Sequence, residues 1–391
     1  MLRFTSFITE AAKKPSIKGG IGHMRHLADN VFRHVAAGAH KAISTLKGIK
    51  SGKTTLTRKI DDKGSLHFIR HPDGRVGIKY KGSGSHYNYT HEDIEKQHGH
   101  KPYLAKMLHA ALDHAHKILP KKSGEYQGGY MSSPDERSIS RGKISHQPNT
   151  IKYEAPVDSA EGQKLKKSKV SLVIHSELHG PDRKGRPLTN TSDFGEHPDV
   201  HRVDHLVSDD EKKIAPVHQK HIDHHIAAAE KLMHGHTYGH HEGHGQHMET
   251  YINSHVRAGS DERATVSGYR KHLSDWHDKQ IASVKTPAAK ARKTAEKDAA
   301  IAHVDKHQHA FQRSFDIHHH IQQAVNHTAR GLDAASKQTF KTKVDDNDSG
   351  GEGHAATYGN DTNKIVDRSS TGFSASNFKF ADRFKPKAKK Q

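Results

Sequence analysis

Apolar residues near the start of the chain recur with the spacing of an α-helix. Leu27, Val31, Phe32 and Val35 fall near one face of such a helix. Residues 1–50 are therefore predicted to form a helical segment that buries this face against the rest of the protein.

The apolar spacing then shortens to that of β-strands. Three short runs of strand-forming residues predict strands at residues 55–60, 65–70 and 76–81. The sequences Asp61-Asp-Lys-Gly and Pro72-Asp-Gly stand between these runs, and both are typical of tight turns. The pattern therefore predicts two successive hairpins.

Helices and further strands follow this region. Thr90 and Asp93 form a capping-box pattern, which predicts that a helix begins there. Apolar residues on one side predict a second helix at about residues 102–118. Further strands are predicted at residues 125–131, 150–155 and 170–175. The last of these runs is almost entirely apolar, so we expect it to be a buried strand.

From about residue 205 the pattern is helical and rich in His. Nine residues spaced three or four apart predict a helical hairpin or a coiled-coil-like stripe. They are Ile301, Val304, Gln308, Phe311, Phe315, His318, Gln322, Val325 and Ala329. Residues 352–367 are then predicted to form a strand, a turn and a second strand.

Composition limits the size of the apolar core. Hydrophobic residues make up 32% of the 391 residues, and the 32 Gly raise this share to about 40%, whereas roughly 45–50% is typical of globular domains. No apolar run is long enough to span a membrane, and the N-terminus lacks the pattern of a secretory signal. The chain has no Cys, which excludes disulfides and thiolate chemistry. We therefore expect an intracellular protein without a membrane partner.

The charge balance indicates an anionic partner. Lys and Arg number 63 against 44 Asp and Glu, which gives a net charge of +19 with every His neutral. The 40 His would add positive charge on mild acidification. Nucleic acid is the first expectation for such a partner, and its binding would weaken with salt. Protein partners cannot be predicted from these features.

A lysine motif suggests covalent chemistry. Lys59-Ile-Asp61 lies at the end of a predicted strand and close to Gly64. It resembles the K-x-D-G motif of covalent nucleotidyltransferases, the nucleic acid ligases and capping enzymes. In that family the deprotonated lysine amine attacks the α-phosphate of ATP or GTP. Lys79 and Lys81 are candidate cations for the phosphates.

Later segments resemble further motifs of the same family, in the family's order. Tyr126-Gln-Gly stands in the place of the third motif, Glu352-Gly353 resembles the fourth, and Lys364-Ile-Val-Asp-Arg the fifth. The resemblance implies that Glu352 holds Mg²⁺, that Asp61 positions Lys59 or the ribose, and that Lys364 contacts the α-phosphate. Gly353 belongs to the same predicted nucleotide site.

The resemblance extends to a family of large tailed-phage proteins with a ligase-like core. The matching stretches outside the motifs are Phe4-Thr-Ser-Phe-Ile-Thr-Glu, Gly22-His-Met-Arg-His-Leu-Ala-Asp-Asn-Val, Pro148-Asn-Thr-Ile-Lys-Tyr, Val173-Ile-His-Ser, Tyr251-Ile-Asn-Ser and Phe373-Ser-Ala-Ser-Asn-Phe. This resemblance implies action in the host cytoplasm during infection, or a place in the virion.

The chain departs from the ligase pattern at two positions. Asp62 follows Asp61 where the motif has Gly, and Gly129 follows Tyr126-Gln-Gly where the family has an acid that contacts the ribose. A second hypothesis therefore stays open, in which a basic DNA-binding or virion-associated protein keeps the ligase fold without catalysis.

Histidines of the middle region suggest a third, metal-binding hypothesis. His221 and His225 are four residues apart and share one helical face, the spacing that can bind zinc or nickel. Because His occurs throughout the chain, compositional bias accounts for most such spacings. Zinc is accordingly not expected as a cofactor.

The predicted fold is α+β, and the resemblance implies a mixed, mainly antiparallel nucleotidyltransferase core of the ATP-grasp or ligase-like kind. A long His-rich helical insertion would interrupt this core. The predicted divisions are an N-terminal helical segment (1–50), the first core part (51–204), the insertion (205–345), the second core part (346–384) and a basic disordered tail (385–391). The leading predicted function is that of a phage ligase-like nucleotidyltransferase that uses ATP or GTP with Mg²⁺.

Overall fold

A computed structural model of the chain describes residues 24–382 except 34, 85, 181–182, 236–240 and 242. The first 23 residues of the predicted helical segment and the predicted basic tail lie outside the described residues. The strands within them are β1 (Thr55–Arg58), β2 (Gly64–Arg70), β3 (Val76–Tyr80), β4 (Gly124–Ser132), β5 (Arg137–Ser140), β6 (Lys143–His146), β7 (Lys152–Pro156), β8 (Val170–His179), β9 (Lys184–Pro187), β10 (Val200–Arg202), β11 (Lys341–Val344), β12 (Asn347–Ser349), β13 (His354–Tyr358) and β14 (Asp361–Ile365).

Helices precede, interrupt and follow these strands. They are α1 (Asn30–Arg33), α2 (Val35–Lys50), α3 (His91–His98), α4 (Pro102–Ala115), α5 (Ala160–Lys167), α6 (Pro216–Met233), α7 (Gly245–Ala258), α8 (Val266–Ser283), α9 (Pro287–Lys306), α10 (Gln308–Ala335) and α11 (Phe373–Asp382). Within the described ranges, no helix is both long enough and apolar enough to cross a membrane.

The largest sheet has six strands and two unlike faces. Its strands run in the order β10-β8-β4-β2-β3, and β9 pairs with the outer part of β8. Alternate residues such as Leu66, Phe68 and Ile78 are buried with Leu108 of α4 in one apolar cluster. The residues between them, which include His67 and Lys79, belong to the opposite face. That polar face is the one that carries the candidate site.

A second sheet has five strands in the order β12-β11-β7-β6-β5. Its apolar residues, such as Ile144 and Tyr153, form a cluster with Phe340, which precedes β11, and with Val173 from β8 of the larger sheet. β11 begins at Lys341, so strand structure resumes within the range predicted as the helical insertion.

The third sheet joins the two ends of the described chain. β1 pairs with β13, which pairs with β14. Leu56 of β1 and Ile365 of β14 share an apolar cluster with Leu46 of α2 and with residues of α6 and α10, such as Ile226 and Phe315. The helices of residues 216–335 therefore pack on the N-terminal helices and on this sheet. The division of the chain into five parts stays a prediction.

Most of the predicted elements are observed, whereas β5, β6, β9 to β12 and α5 were not predicted. The α+β class is confirmed, and β10 with β8 is the parallel pair among otherwise antiparallel named strand pairs. The capping box of Thr90 and Asp93 is present at α3. The buried character of β8 is also confirmed, since its first five residues are all buried.

The first predicted hairpin is wrong. β1 and β2 lie in different sheets, because β1 pairs with β13 while β2 pairs with β3 and β4. Residues 59–63 cross from one sheet to the other instead of reversing the chain. The second predicted hairpin, between β2 and β3, is confirmed.

Candidate functional site

The crossing segment places Lys59 where the three-stranded sheet meets the polar face of the six-stranded sheet. The Lys59 backbone nitrogen donates to the carbonyl oxygen of Gly353 at 2.8 Å. Its Nζ forms an ion pair with Oε1 of Glu352. Lys59 and Glu352 are 293 positions apart and stand in segments that resemble different motifs, yet they are in direct contact.

Gly353 is required by the geometry of this contact. Its φ is +104°, a conformation that favours glycine. A Cβ at this position would lie 2.5 Å from the carbonyl oxygen of Ile365. Only a glycine lets the Glu352 segment pack this closely against β14, so Gly353 is a structural requirement here.

Asp61 connects Lys59 to the five-stranded sheet. Its buried carboxylate accepts hydrogen bonds from Asn149 Nδ2 at 2.9 Å and from the Ile151 backbone nitrogen at 2.8 Å. The Asp61 backbone nitrogen donates to the Tyr153 hydroxyl. Burial, together with the charge of Glu352, raises the pKa of Asp61 to about 6. Residues 59–62 are thus held at the junction of all three sheets.

Asp62 lies directly over Gly129 of β4. A Cβ on Gly129 would be 2.1 Å from Asp62 Oδ2, so no side chain fits at position 129 without moving this carboxylate. Burial raises the pKa of Asp62 to about 7, Lys59 opposes that rise, and Glu352 adds to it. The two departures from the ligase pattern are therefore complementary in space, because the added acid fills the volume that the missing side chain leaves.

Two further predicted lysines lie near Lys59. The Lys81 backbone nitrogen donates to the carbonyl oxygen of Ser65 at 2.9 Å. Burial lowers the pKa of Lys81, and the charges of Asp62 and Lys59 also act on it. Lys364 of β14 also has a pKa lowered by burial and by the charge of Lys59. These groups form what we call the Lys59 site: Lys59, Asp61, Asp62, Lys81, Glu352, Gly353 and Lys364.

Lys79 lies outside the Lys59 site. Its Nζ donates to the carbonyl oxygen of Gly84 at 3.1 Å and lies 4.8 Å from the centre of the Tyr87 ring. Burial lowers its pKa, and the charges that act on it are those of Arg183 and Glu125. The prediction that Lys79 contacts the same nucleotide phosphates as Lys59 stays a prediction, and its surroundings give it other partners.

Two histidines on the polar sheet face, the buried His67 and the half-buried His175, were not predicted. Burial lowers the pKa of both His67 and His175 to about 3, and Lys81 is among the charges that act on each of them. His175 falls at the irregularity in the pairing of β4 with β8, between Ile174 and Ser176. The sequence signal that could have identified it is the break in the apolar run of β8 by a single His.

His221 and His225 lie on α6, far along the chain from the Lys59 site, and face α10. The His221 ring stacks on His327 with 4.4 Å between ring centroids, and His225 Nδ1 lies 3.1 Å from His320 Nδ1. Within the described residues, no group of three or more His, Asp or Glu side chains is arranged as a metal site. The predicted pairing of His221 with His225 on one ion stays a prediction.

A cavity of about 320 Å³ lies beside β10, at the edge of the six-stranded sheet. Lys164, Lys167, His197 and Arg202 contribute to its lining. The chain continues from β10 to His205, whose carbonyl oxygen accepts a hydrogen bond from the Arg58 backbone nitrogen at 2.7 Å. A short segment therefore leads from this basic cavity to the residue before Lys59.

Comparison with known proteins identifies one family model, which matches residues 22–382 and is described as a family of unknown function, DUF6267. No curated protein and no solved structure matches the chain.

Proposed function

The chain belongs to the DUF6267 family, a family of unknown function, and we propose from its own site that it is a ligase-like nucleotidyltransferase acting on nucleic acid. The observation that carries this proposal is the convergence of Lys59, Asp61, Glu352 and Lys364 from distant parts of the chain. On the same grounds we assign the three sheets to a ligase-like core. The proposed setting is the cytoplasm of a phage-infected host, or the virion.

The proposed step is attack of Lys59 Nζ on the α-phosphorus of ATP or GTP. A nitrogen–phosphorus bond forms, the bond between the α-phosphorus and the bridging oxygen breaks, and pyrophosphate leaves. The amine must lose a proton to water before it attacks, because the Glu352 carboxylate that pairs with Nζ would hold the cation. Lys81 and Lys364 supply positive charge for the phosphates.

The acidic residues of the Lys59 site suit a magnesium nucleotide. The charge of Glu352 contributes to the raised pKa of both Asp61 and Asp62, so negative charge is crowded there. A divalent cation would relieve this repulsion. Magnesium sites commonly use one or two carboxylates with substrate phosphates and water, so Glu352 and Asp62 would hold the ion. The ion would supply positive charge against the negative charge of the leaving group.

The basic cavity beside β10 supports a nucleic acid partner. The Arg202 guanidinium lies 5.8 Å from the Phe194 ring centre. Within the described part of the chain, neither Arg202 nor Lys167 forms an ion pair with a carboxylate. Free cations in a cavity of this size suit phosphodiester groups. This observation also favours the second candidate function, a non-catalytic nucleic-acid-binding protein.

Covalent labelling tests the proposal. Untagged protein is incubated with Mg²⁺ and either ATP or GTP labelled at the α-phosphate, and is then separated on a denaturing gel. We expect a label that survives denaturation in the native protein and is absent in both Lys59→Ala and Lys59→Arg. The arginine variant keeps the positive charge beside Glu352 but has no primary amine. Loss of label in this variant would therefore show that the amine reacts, and not only that Lys59 stabilises the fold.

The matched control is Lys50→Ala, which removes an exposed lysine paired with Asp223 and should label normally. Absence of label with both nucleotides, together with salt-dependent DNA retention that Arg202→Ala weakens, would overturn the enzymatic proposal. That result would support the non-catalytic candidate instead.

A further inference from the structure

Two histidines on neighbouring helices, α3 and α4, place their Nδ1 atoms in contact. His91 begins α3 and His109 lies in α4. Their Nδ1 atoms are 2.6 Å apart, and the rings lie side by side and nearly parallel, with centroids 4.6 Å apart and planes inclined by 14°. This pair is independent of the Lys59 site and of the His-rich helices.

The opposite nitrogen of each ring is bound to a carboxylate. His91 Nε2 lies 2.7 Å from Asp113 Oδ1, and His109 Nε2 lies 2.7 Å from Glu95 Oε1. An ionised carboxylate only accepts hydrogen bonds, so both Nε2 atoms carry the proton. In a neutral imidazole the Nδ1 atom is then an unprotonated acceptor. Two lone pairs therefore face each other and require a positive species between them.

We propose that His91 and His109 bind a divalent transition-metal ion through their Nδ1 atoms, with water completing its coordination. Imidazole nitrogens are suitable ligands for zinc, copper and nickel. Metal-bound histidines almost always donate the other ring nitrogen to a carboxylate or a carbonyl, which fixes the tautomer and the ring orientation. Here both histidines have such a carboxylate.

The site has an entry path and room to adjust. The side chains of His91 and His109 are 58% and 23% exposed, so an ion reaches them from solvent. At tetrahedral angles, zinc–nitrogen bonds of about 2.0–2.1 Å place two ligand nitrogens about 3.3 Å apart. The two Nδ1 atoms, which are 2.6 Å apart, therefore need to separate by about 0.7 Å, which small rotations of the two side chains allow.

The contact between His225 and His320 provides a matched comparison. Their Nδ1 atoms are also close, at 3.1 Å. In the described part of the chain, however, neither ring donates a hydrogen bond to a carboxylate. If close approach of two rings were sufficient, both pairs would bind metal equally; if the carboxylates matter, the His91–His109 pair binds more tightly.

Zinc titration of the untagged protein by calorimetry tests the proposal. We expect one site tighter than the background of other histidines, and a bound ion that raises the melting temperature because it joins α3 to α4. His91→Ala and His109→Ala should each abolish that site. Asp113→Ala and Glu95→Ala should each weaken it by about 10–100-fold, since they remove the groups that orient the rings.

His225→Ala is the control and should leave the tight site unchanged. Each variant alters a surface residue, and its melting temperature without zinc shows whether it is folded. The proposal is overturned if the native protein and His109→Ala bind zinc identically. It is also overturned if the pair takes no zinc and only shares one proton between the rings. Neither result bears on nucleotide labelling at Lys59.

Discussion

Two regions of this protein contain aspartates in buried surroundings, and these surroundings shift the aspartate pKa in opposite directions. Asp29, near the N-terminal helices, is 5% exposed and lies 2.9 Å from Arg368 Nη1 and 3.0 Å from His318 Nε2. Despite its burial, Arg368 and His318 lower its pKa. Asp61 and Asp62 have lysines nearby, yet burial and Glu352 raise the pKa of both.

The difference distinguishes a carboxylate that is neutralised by neighbouring side chains from carboxylates whose charge a ligand could neutralise. At Asp29 the compensating groups come from α10 and from the segment after β14, so the cluster ties the N-terminal helices to both. In the Lys59 site, the compensation is incomplete. Incompletely compensated charge is a common feature of functional sites. It also costs stability, which a bound cation would restore.

Replacement of Asp29 by Ala should give the largest effect. The substitution leaves Arg368, which is 4% exposed, buried without the carboxylate that neutralises it. Removal of one member of a buried pair typically costs about 3–5 kcal/mol. We therefore expect a loss of that size in the free energy of unfolding, measured with denaturant.

The control for this variant is Asp223→Ala. Asp223 forms a 3.0 Å ion pair with Lys50 in which both side chains are more than half exposed. Such pairs contribute below about 1 kcal/mol. Equal losses in the two variants would contradict the view that the Asp29 cluster is a structural tie.

Exchange of the residues at positions 62 and 129 tests the role of the Asp62 carboxylate in the Lys59 site. Gly129→Asp should displace Asp62, because a Cβ there lies 2.1 Å from Asp62 Oδ2. A displacement of about 1 Å can cost about 100-fold in rate. We expect such a loss in nucleotide labelling for Gly129→Asp and also for Asp62→Gly.

The double variant should recover most of the labelling, since it moves the carboxylate from residue 62 onto β4 while keeping one acid in the same volume. Melting temperatures of all three variants show whether the sheet is intact. A double variant no better than either single one would mean that the acid over β4 has no role in nucleotide transfer.

The pH dependence of stability should show opposite contributions from the two kinds of buried group. His244 in the helical region is 1% exposed, its Nδ1 lies 2.8 Å from the Tyr269 hydroxyl, and burial lowers its pKa to about 3. In the unfolded chain His244 binds a proton below about pH 6.5, whereas in the folded state it binds one only below about pH 3. His244 therefore costs stability as pH falls, by about 2 kcal/mol at pH 5.

His244→Gln should remove this contribution and flatten the fall in unfolding free energy between pH 7 and pH 5. Asp62 has the reverse sign, because its folded pKa of about 7 lies above the ordinary value of 3.8. It costs stability above pH 7, and that cost disappears as pH falls toward 4. Asp62→Asn should therefore raise the melting temperature most at pH 8. Parallel pH profiles for the two variants would contradict this assignment.

The buried histidines also change the meaning of the His-rich composition. From the sequence, mild acidification was expected to add much positive charge. In the fold, burial lowers the pKa of His225 and His319 to about 4 and that of His244 to about 3. These groups pack as neutral rings between helices, so much of the expected charging is coupled to unfolding.

Local sequence was sufficient to predict several elements of the fold. The capping box of Thr90, the buried run of β8 and the turn between β2 and β3 depend on residues close in the chain. The Glu352-Gly353 pair was also identified from its local pattern. Its requirement for glycine became clear only from the approach of Ile365.

The residues that complete the Lys59 site could not be obtained in this way. The sequence showed Asp62 and Gly129 as two separate departures from a motif, and only the pairing of β2 with β4 places one over the other. Lys79 and Lys81 looked equivalent by sequence. The fold directs the first toward Arg183 and the second toward Asp62 and Lys59.

The sequence by itself determined the α+β class, the helices and strands with clear apolar spacing, and the types of side chain that stand in the candidate motifs. These follow from short-range spacing and from the nature of each side chain. The tertiary structure decided which sheet each strand joins, which charges are compensated and which histidines stay neutral. Those outcomes depend on contacts between residues up to about three hundred positions apart, such as Lys59 with Glu352, and on the burial that those contacts produce.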